Sequence, residues 1–375
     1  MSKVLTTPFA RLKLDRYPTD SHPSLQAFDA ADEYLLNELA TINPAKGSSI
    51  LILNDSFGSL ACSLVNQLSI SSCGDSYLAE RALYNNLAEN NIPLSTINFI
   101  PSTELLLGQF DVVLIKIPKT LALLEEQLIQ LQPHITADTL ILAGAMIKHL
   151  SKTASELIEK YIGSVQASLA VKKARLLRVT PTHKKLAKSP YPSYYKVEEL
   201  NLTLVNHANV FCREGLDIGS RVLMPYLTYQ PNFINVADLG CGNGILGIIF
   251  ALNNPQAEII LVDESYMAIA SAKANWQQAL PKRSVTIKVA DGLLHQANNS
   301  LDCILCNPPF HQQQVIGDFI AKRMFKQARD CLKQQGELWI VANRHLNYYQ
   351  LLKKLFRQVT TITQTNKFVV LKATK

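Results

Sequence analysis

One stretch, Val236 to Phe250, limits what this chain can fold into more than any other part of the sequence. It reads VADLGCGNGILGIIF, so a glycine-rich turn from Asp238 to Gly244 lies between a short apolar run and an apolar segment of helical length. Glycine permits a tight turn and lets amide groups approach a ligand closely, with the positive end of a helix behind them. The stretch therefore predicts a strand, a turn and a helix that together bind a nucleotide-like ligand.

An acidic residue follows at the end of the next predicted strand. Asp263 comes directly after Ile259 to Val262. In nucleotide-binding βαβ units, a carboxylate about 20 residues beyond the glycines meets the ribose hydroxyls. Asp263 is therefore the candidate ribose ligand.

Two further polar turns follow predicted strands. Asp291 and Gly292 come after Val285 to Val289, and Asn307 comes after Cys303 to Cys306. Each lies at the carboxyl end of a parallel strand, the edge where open α/β sheets bind ligands. Any one of these turns could be purely structural, since Asp and Gly are ordinary turn residues. All four in this order favour a binding site.

The sequence Asn307-Pro308-Pro309-Phe310 suits one particular chemistry. An exocyclic amine is a poor nucleophile because its lone pair is delocalised. The side-chain oxygen of Asn307 and the carbonyl of Pro308 can accept its two N–H groups and so favour a pyramidal nitrogen. Proline fixes its own φ and helps to hold that carbonyl, while Phe310 can stack on a flat target. Such a site acts by positioning and electrostatics.

The first half of the chain resembles a degenerate copy of the second. Ile52 to Gly58 lies where the second half has Val236 to Gly242, and Asp111 to Lys119 lies where it has Asp302 to Phe310. Strands alternate with helix-length segments throughout, which predicts βαβ architecture. We expect domains at residues 1–190 and 191–375, the first without its ligand because it keeps only one glycine of the turn and lacks the Asn-Pro-Pro-Phe motif. The alternative is the general likeness of any two βαβ domains.

Composition narrows the class of protein. With 375 residues, 47% of them hydrophobic, the chain has enough material for two domains. Its seven cysteines are odd in number and scattered, which favours reduced thiols in the cytosol over a disulfide framework. No apolar leader or membrane-length run is visible, so we expect a cytoplasmic protein that does not enter a membrane. The Cys303 and Cys306 pair has no second pair to complete a metal site, and no metal is expected.

A basic segment links the two halves. Between Val171 and Lys196 there is no acidic residue, although prolines and tyrosines are interspersed, and the whole chain has a net charge of +7. Cations interleaved with aromatic residues suit RNA phosphates and bases, while a solvated linker at the domain boundary is the equal alternative. The candidate RNA-binding residues are Lys172, Lys173, Arg175, Arg178, Lys184, Lys185 and Lys188.

The Asp238–Gly244 turn together with Asn307–Phe310 resembles the class I S-adenosylmethionine-dependent amino-methyltransferases. The degenerate first copy, and the segment from Val210 to Arg221, are similar to the paired-domain bacterial rRNA guanine-N2-methyltransferases. This resemblance implies two tandem Rossmann-like class I methyltransferase domains in an α/β chain, the N-terminal one degenerate and serving as an RNA-binding platform. It also implies S-adenosylmethionine as cofactor.

The resemblance further implies a role for each matching residue. The glycine turn would approach the methionine part of the cofactor, Asp263 would bind the ribose, and Asp291 with Gly292 the adenine. Asn307, Pro308, Pro309 and Phe310 would hold the guanine amine and the base. The implied cofactor-binding residues are Asp238, Gly240, Cys241, Gly242, Gly244, Asp263, Asp291, Gly292, Phe211 and Gly215.

The substrate follows from the same resemblance. Several segments of both halves are similar to the large-subunit branch of the family, which implies methylation of guanine 1835 in 23S rRNA, naked or in an assembling subunit, by a monomer. Alternatives are a 16S rRNA enzyme of the same layout and a non-enzymatic ribosome-assembly factor that binds RNA. DNA adenine and protein glutamine methyltransferases share the Asn-Pro-Pro-aromatic motif, but the degenerate first copy favours rRNA.

Overall fold

The computed structural model describes residues 3–19, 25–309 and 315–375, with the side chains of 315–318 left out. Phe310, the predicted stacking residue, lies outside these ranges. The chain divides into two compact units, Met1–Tyr191 (unit 1) and Pro192–Lys375 (unit 2).

Unit 1 is an α/β unit built on a sheet whose strands are separated by helices. Its strands are β1 (Val4–Thr6), β2 (Arg11–Lys13), β3 (Ser49–Leu53), β4 (Ser69–Gly74), β5 (Ile97–Pro101), β6 (Val112–Lys116), β7 (Leu140–Met146), β8 (Gly163–Ala167) and β9 (Ala174–Pro181). Its helices are α1 (Ala30–Ile42), α2 (Ser59–Leu64), α3 (Tyr77–Glu89), α4 (Leu121–Leu131) and α5 (Lys152–Tyr161).

Unit 2 repeats this arrangement after a two-stranded hairpin. Its strands are β10 (Ser193–Val197), β11 (Leu202–Asn206), β12 (Asn235–Leu239), β13 (Glu258–Asp263), β14 (Thr286–Val289), β15 (Leu301–Cys306), β16 (Leu332–Asn343), β17 (Gln358–Gln364) and β18 (Phe368–Thr374). Its helices are α6 (Ile218–Leu223), α7 (Ile245–Asn253), α8 (Tyr266–Ala279), α9 (Val315–Cys331) and α10 (Tyr348–Lys353).

The two units share one sheet topology. The strand order is β5-β4-β3-β6-β7-β9-β8 in unit 1 and β14-β13-β12-β15-β16-β18-β17 in unit 2. In each sheet the first five strands are parallel, and the last two pair antiparallel. The predicted fold class, two tandem Rossmann-like α/β domains, is confirmed.

Apolar residues cover both faces of each sheet, which explains why the strands read as continuous apolar runs. In β3, Ile50 and Ile52 pack into one core cluster, while Leu51 and Leu53 pack into another. In β15, Cys303 and Cys306 likewise belong to clusters on opposite faces of the sheet. The two thiols therefore point away from each other and serve as core side chains.

The register of the repeat differs from the predicted one by two residues. The amide of Asn54 donates to the carbonyl of Cys73 (2.9 Å), as the amide of Gly240 donates to that of Val262 (2.8 Å). Both residues have a left-handed backbone, with φ of 64° and 72°. Asn54 is therefore the counterpart of Gly240, and the prediction that aligned Ile52–Gly58 with Val236–Gly242 was wrong. Short apolar runs carry little register information, whereas the strand ladder fixes it.

With the register corrected, unit 1 lacks each predicted ligand side chain of unit 2. The strand pairing places Ile52 where unit 2 has Asp238, Gly74 where it has Asp263, Thr103 where it has Asp291, and Lys116 where it has Asn307.

Charged side chains of unit 1 occupy the equivalent edge of its sheet. The largely buried ammonium of Lys116 lies 2.8 Å from both Asp29 and Asp32. The carboxylate of Asp55 accepts from three amides at the start of α2, at 2.9–3.0 Å. Burial raises the pKa of Asp32 to about 6. Unit 1 thus satisfies its helix end and buried charges internally.

The basic segment is not a solvated linker over its whole length. Ala174–Pro181 forms β9, which pairs with both β7 and β8 inside the sheet. Lys172 and Arg178 pair with Glu33 and Glu38 at 2.8 and 2.6 Å. The linker alternative is therefore wrong for this strand, because alternate positions of β9 face the core.

Candidate active site

The predicted site residues of unit 2 lie together at one end of its sheet, where the parallel strands finish. β14, β13, β12 and β15 are neighbours and run parallel, so their carboxyl ends meet. Asp291, Asp263, the glycine turn and Asn307 each follow one of these ends. The strand order alone therefore brings the four turns together.

The glycine turn leaves open space above its backbone. Gly242 has a φ of +54°, and a Cβ added there would meet no atom within 4 Å. A Cβ at Gly244 would instead lie 3.2 Å from Ala272 and 3.3 Å from Leu261, where α8 and β13 pack against the turn. Gly244 thus serves packing, while Gly242 borders a space that can hold a ligand.

Asp238 holds the start of α7 and keeps one oxygen without a partner. Its side chain is 1% exposed, and Oδ2 accepts the amide of Gly247 at 2.8 Å. Oδ1 is buried and has no hydrogen bond to any part of the chain that the structure describes. Burial, with a contribution from Asp263, raises the pKa of Asp238 to about 7. A buried acceptor of this kind fits a cationic ligand group.

The thiol of Cys241 is not a reactive group. The residue is 6% exposed, and burial together with Asp263 and Asp238 raises the pKa of its thiol well above the usual value. Its backbone amide pairs with the carbonyl of Val262 at 3.0 Å. Cys241 therefore shapes the turn through its main chain.

Asp263 ties the glycine turn to β13. Its Oδ2 accepts the amide of Gly242 at 2.9 Å, and its Oδ1 accepts that of Ser265 at 3.0 Å. The carboxylate thus joins the end of β13 to the glycine turn and to Ser265, which caps α8. Its role at a ribose stays a prediction.

Hydrogen bonds among three buried asparagines hold the glycine turn in place, and their spacing in the sequence does not predict the contact. Asn243 donates to Asn206 (2.8 Å) and to the Tyr195 hydroxyl (3.2 Å). Asn275 donates to the carbonyl of Asn243 at 2.9 Å. Asn206 belongs to the β10–β11 hairpin and Asn275 to α8. The network therefore fastens the glycine turn to both elements.

Asn307 is held with its oxygen aimed away from its partners. Nδ2 donates to Asp217 Oδ2 (2.8 Å) and to Ser220 Oγ (3.1 Å). Because a carboxylate only accepts hydrogen bonds, the amide cannot be reversed without losing the Asp217 contact. Among residues 3–19, 25–309 and 315–375, no group is hydrogen-bonded to its buried Oδ1. The arrangement presents a fixed, unsatisfied acceptor at the sheet edge.

Sequence reasoning missed Asp217 and Ser220. Asp217 caps α6, accepting the amide of Ser220 at 2.8 Å. An Asp-x-x-Ser sequence before an apolar run is an N-cap signal, so the helix could have been found, but its approach to Asn307 depends on tertiary packing. In unit 1, Asp29 caps α1 and pairs with Lys116, so the same geometry occurs there with charged groups.

The remaining predicted acceptor and cofactor residues range from buried to exposed. Pro308 is buried and Pro309 half-buried. Phe211 is 62% exposed, and a Cβ at Gly215 would meet no atom within 4 Å. Their segment leads into Asp217 and so reaches the acceptor side of the site. The cofactor roles of Phe211 and Gly215 remain predictions.

Asp291 and Gly292 lie against α9. Asp291 is 2% exposed, and both of its oxygens accept from the guanidinium of Arg323. The side chain of Gln327 also contacts this turn, donating to the carbonyl of Asp291 at 3.2 Å. Arg323 and Gln327 were also missed, since α9 lies far along the chain and only the fold brings it here.

Neither a metal-binding cluster nor a membrane-spanning helix is found among the described residues. In residues 3–19, 25–309 and 315–375, no cluster of three His, Cys, Asp or Glu side chains could hold a metal ion. Over the same described ranges, no helix has both the length and the apolar character needed to span a bilayer.

Comparison with known families matches the two units separately. Residues 2–183 match the RLMG N-terminal domain, and residues 201–372 match the methyltransferase small domain. Of the solved structures, that of the T. thermophilus 16S rRNA N2 methyltransferase RsmC, in complex with AdoMet and guanosine, covers 100% of both chains with a TM-score of 0.76. At 18% identity, this likeness supports the fold.

Curated relatives extend over the whole chain. The ribosomal RNA large subunit methyltransferase G of Pseudomonas putida KT2440 is 57% identical over 99% of this chain and 100% of its own. Proteins of the same name from Stutzerimonas stutzeri A1501 and Pseudomonas aeruginosa PAO1 are each 55% identical over 99% of this chain, and cover 99% and 100% of their own lengths. Identity at this level over the full length, with both domain families in order, shows that the chain belongs to the ribosomal RNA large subunit methyltransferase G family.

Proposed function

We propose that this protein transfers a methyl group from S-adenosylmethionine to the exocyclic N2 amine of guanine 1835 in 23S rRNA. One observation carries the acceptor chemistry: the buried, unpartnered Oδ1 of Asn307 stands on the same sheet edge as the open space above Gly242. Family membership supports a large-subunit rRNA substrate. Because that substrate is assembled in the bacterial cytoplasm, the enzyme acts there.

Asn307 and Pro308 act on the amine by hydrogen bonding. Oδ1 of Asn307 accepts one N–H, and the carbonyl of Pro308 accepts the other. These bonds favour a pyramidal nitrogen whose lone pair is available, while Asp217 and Ser220 keep the Asn307 amide from rotating. The bound cofactor supplies an electrophilic methyl group on a sulfonium. The protein contributes alignment and electrostatics.

The cofactor residues fit the charge and shape of S-adenosylmethionine. The space above Gly242 admits a ligand in close contact with the backbone, and the Asp238 oxygen that accepts no hydrogen bond from the described residues suits a positively charged group. In this proposal Asp263 accepts from the ribose hydroxyls, and Asp291 accepts from the adenine amine. The turn glycines and Cys241 contribute main-chain groups to the same pocket.

A labelling experiment tests the proposal. The protein is incubated with radiolabelled S-adenosylmethionine and with rRNA from a strain that lacks the modification, as naked RNA and as assembled subunits in parallel. We expect the label at N2 of one guanine of 23S rRNA, at position 1835. Label on 16S rRNA would identify the small-subunit alternative, and cofactor binding without label on any RNA would leave the assembly-factor alternative standing.

Unit 1 is proposed as the RNA-binding platform. Its ligand positions are replaced, as described above, so it retains a scaffold without a cofactor site. Lys172 and Lys173 are exposed at a two-residue turn, where Val171 and Ala174 exchange hydrogen bonds of 2.9 and 2.8 Å. Burial lowers the pKa of His149, and the nearby cations Lys119 and Lys148 lower it further. The predicted Arg175, Arg178, Lys184, Lys185 and Lys188 belong to the same unit.

The turn at Lys172 and Lys173 gives a test of the platform. Both residues have positive φ (48° and 66°), a conformation that favours Asn-Gly and costs L-residues about 1–2 kcal/mol each. The double substitution Lys172→Asn with Lys173→Gly should therefore preserve or raise stability. It should weaken rRNA binding and reduce the slope of log K against log salt by about 1 for each lysine lost.

The measurement is a salt titration of rRNA binding beside a thermal melt. Lys152→Gln is the matched control, because Lys152 is an exposed lysine of the same unit paired with Glu156 on α5. An unchanged salt slope in the double variant would remove this turn from the RNA contact.

Asp238 predicts a pH dependence of cofactor binding. Its pKa in the free protein is raised from 3.8 to about 7, so its ionisation destabilises the free fold as the pH rises through that value. A cationic ligand favours the ionised form, and affinity for S-adenosylmethionine should rise about tenfold between pH 6 and pH 8. Asp238→Asn should remove both dependences.

Calorimetric titration at pH 6, 7 and 8 measures the effect, with chemical denaturation at the same pH values. The amino group of the cofactor titrates in this range as well, but it does so equally for wild type and variant. The difference between the two proteins therefore isolates Asp238. Parallel curves for wild type and Asp238→Asn would contradict the assignment.

A further inference from the structure

Helix α9 is hydrogen-bonded to the loop that follows β14 through two side chains that are one helical turn apart. Arg323 donates through both terminal nitrogens to the two carboxylate oxygens of Asp291. Gln327 donates to the Asp291 carbonyl at 3.2 Å and accepts the amide of Leu293 at 3.1 Å. The loop Asp291–Leu293 is thus held by its side chain and by its main chain on both sides of Gly292.

The contact between α9 and this loop requires glycine at position 292. It has a φ of +53°, and a Cβ there would lie 2.3 Å from the Gln327 side-chain oxygen. The same helix also approaches the glycine turn, because a Cβ at Gly240 would lie 3.4 Å from the terminal methyl of Met324. α9 therefore borders two of the turns that form the cofactor side of the site.

The helix itself is firmly seated. Ala321, Phe325 and Ala328 are fully buried in the core cluster beneath the sheet. Arg323 and Gln327 are spaced i, i+4 and so share one face. A helix anchored by its buried side chains cannot shift without moving the core. The hydrogen bonds from Arg323 and Gln327 therefore hold the loop rigidly.

The arrangement fixes how Asp291 is presented. The bidentate contact with the guanidinium of Arg323 sets the plane of the carboxylate. The positive charge of Arg323 also balances a carboxylate that is 2% exposed. Asp291 is therefore both neutralised and oriented before any ligand arrives.

We propose that Arg323 and Gln327 are positioning residues for the adenine of the cofactor, acting through Asp291 and the Asp291–Leu293 loop. The inference rests on the proposed function, because it takes S-adenosylmethionine as the ligand. It goes beyond that function by assigning adenine recognition to α9, the helix that begins at Val315, shortly after the Asn307–Phe310 motif.

The test compares Arg323→Met and Arg323→Lys with wild type in the full-length protein. Titration calorimetry measures binding of S-adenosylhomocysteine and of S-inosylhomocysteine, in which an oxo group replaces the adenine amine. Arg323→Met should weaken S-adenosylhomocysteine binding about tenfold and shrink the preference for the adenosyl over the inosyl ligand. Arg323→Lys, which keeps the charge and loses the fork, should fall between the two.

Kinetics separate positioning from a general loss of structure. With saturating cofactor, kcat of Arg323→Met should stay within about threefold of wild type, while KM for S-adenosylmethionine rises by the same factor as the dissociation constant. Lys326→Met is the matched control, since Lys326 is exposed on the same helix. Gln327→Met provides a second variant if Arg323→Met melts early, and it should also reduce the adenosyl preference.

The outcomes distinguish this inference from the proposed function. Failure of the wild-type protein to bind S-adenosylhomocysteine would overturn the proposed function. Wild-type binding with an unchanged adenosyl preference in Arg323→Met and Gln327→Met would overturn the role of α9 alone. Tighter binding in Arg323→Met would show that the guanidinium competes with adenine for Asp291, and would likewise overturn it.

Discussion

Asn307→Ala should lower kcat for methyl transfer by about 100- to 1,000-fold, the range observed when one preorganised polar group of a catalytic site is removed. The substitution deletes the buried oxygen that accepts the amine N–H, and no other described side chain is bonded to that oxygen. Affinity for S-adenosylmethionine should stay near wild type, because the described hydrogen bonds of the Asn307 side chain go to Asp217 and Ser220 and not to the glycine turn. Single-turnover transfer to rRNA and cofactor titration measure the two effects.

The control for Asn307→Ala is Asn235→Ala. Asn235 is the first residue of β12 and lies at the amino end of the parallel strands, away from the site. Its amide side chain lies 3.5 Å from Asp302. Its removal should leave kcat unchanged. Wild-type turnover in Asn307→Ala would remove Asn307 from the reaction.

Asp217→Ser tests how the acceptor is held. Serine is a good N-cap residue, so α6 should remain capped, while the shorter side chain no longer reaches Asn307 as Asp217 does at 2.8 Å. The loss of kcat should be smaller than for Asn307→Ala, because the oxygen is present but less firmly directed. A loss of cofactor affinity with kcat preserved would contradict this positioning role.

Gly242→Val should weaken cofactor binding while the fold is retained. A Cβ at Gly242 meets no protein atom within 4 Å, so the added side chain enters the space proposed for the ligand. Overlap with a close-packed ligand should cost about 1–3 kcal/mol, or about 5- to 150-fold in the dissociation constant. Calorimetric titration with S-adenosylmethionine measures the loss, and rRNA binding should be unaffected.

The backbone strain of this substitution has a matched control within the chain. Gly47 also has a positive φ (+86°) with nothing within 4 Å of an added Cβ, and it lies in a turn of unit 1. Gly47→Val should therefore lower stability by a similar amount without changing cofactor affinity. Equal cofactor affinity in Gly242→Val and Gly47→Val would show that the space above Gly242 does not hold the ligand.

Internal duplication shows where sequence comparison reaches its limit. The two halves were recognisable as copies because turn residues and apolar runs recur in the same order. The alignment of Ile52–Gly58 was nevertheless wrong by two residues, because a run such as Ile50–Leu53 is apolar at every position and offers no marker of register. Only the strand ladder showed that Asn54 takes the place of Gly240 and Lys116 that of Asn307.

By itself, the sequence determined the fold class and the principal candidate residues of the site. Glycines, carboxylates and the Asn-Pro-Pro-Phe motif must follow strand ends in a βαβ unit, and parallel strands bring those ends to one edge. Tertiary structure decided which groups orient them: Asp217 and Ser220 on Asn307, and Arg323 and Gln327 on Asp291. These partners lie about 30 to 90 residues away in the chain. Local sequence patterns carry no information on contacts of that span, because they arise from how helices pack on the sheet.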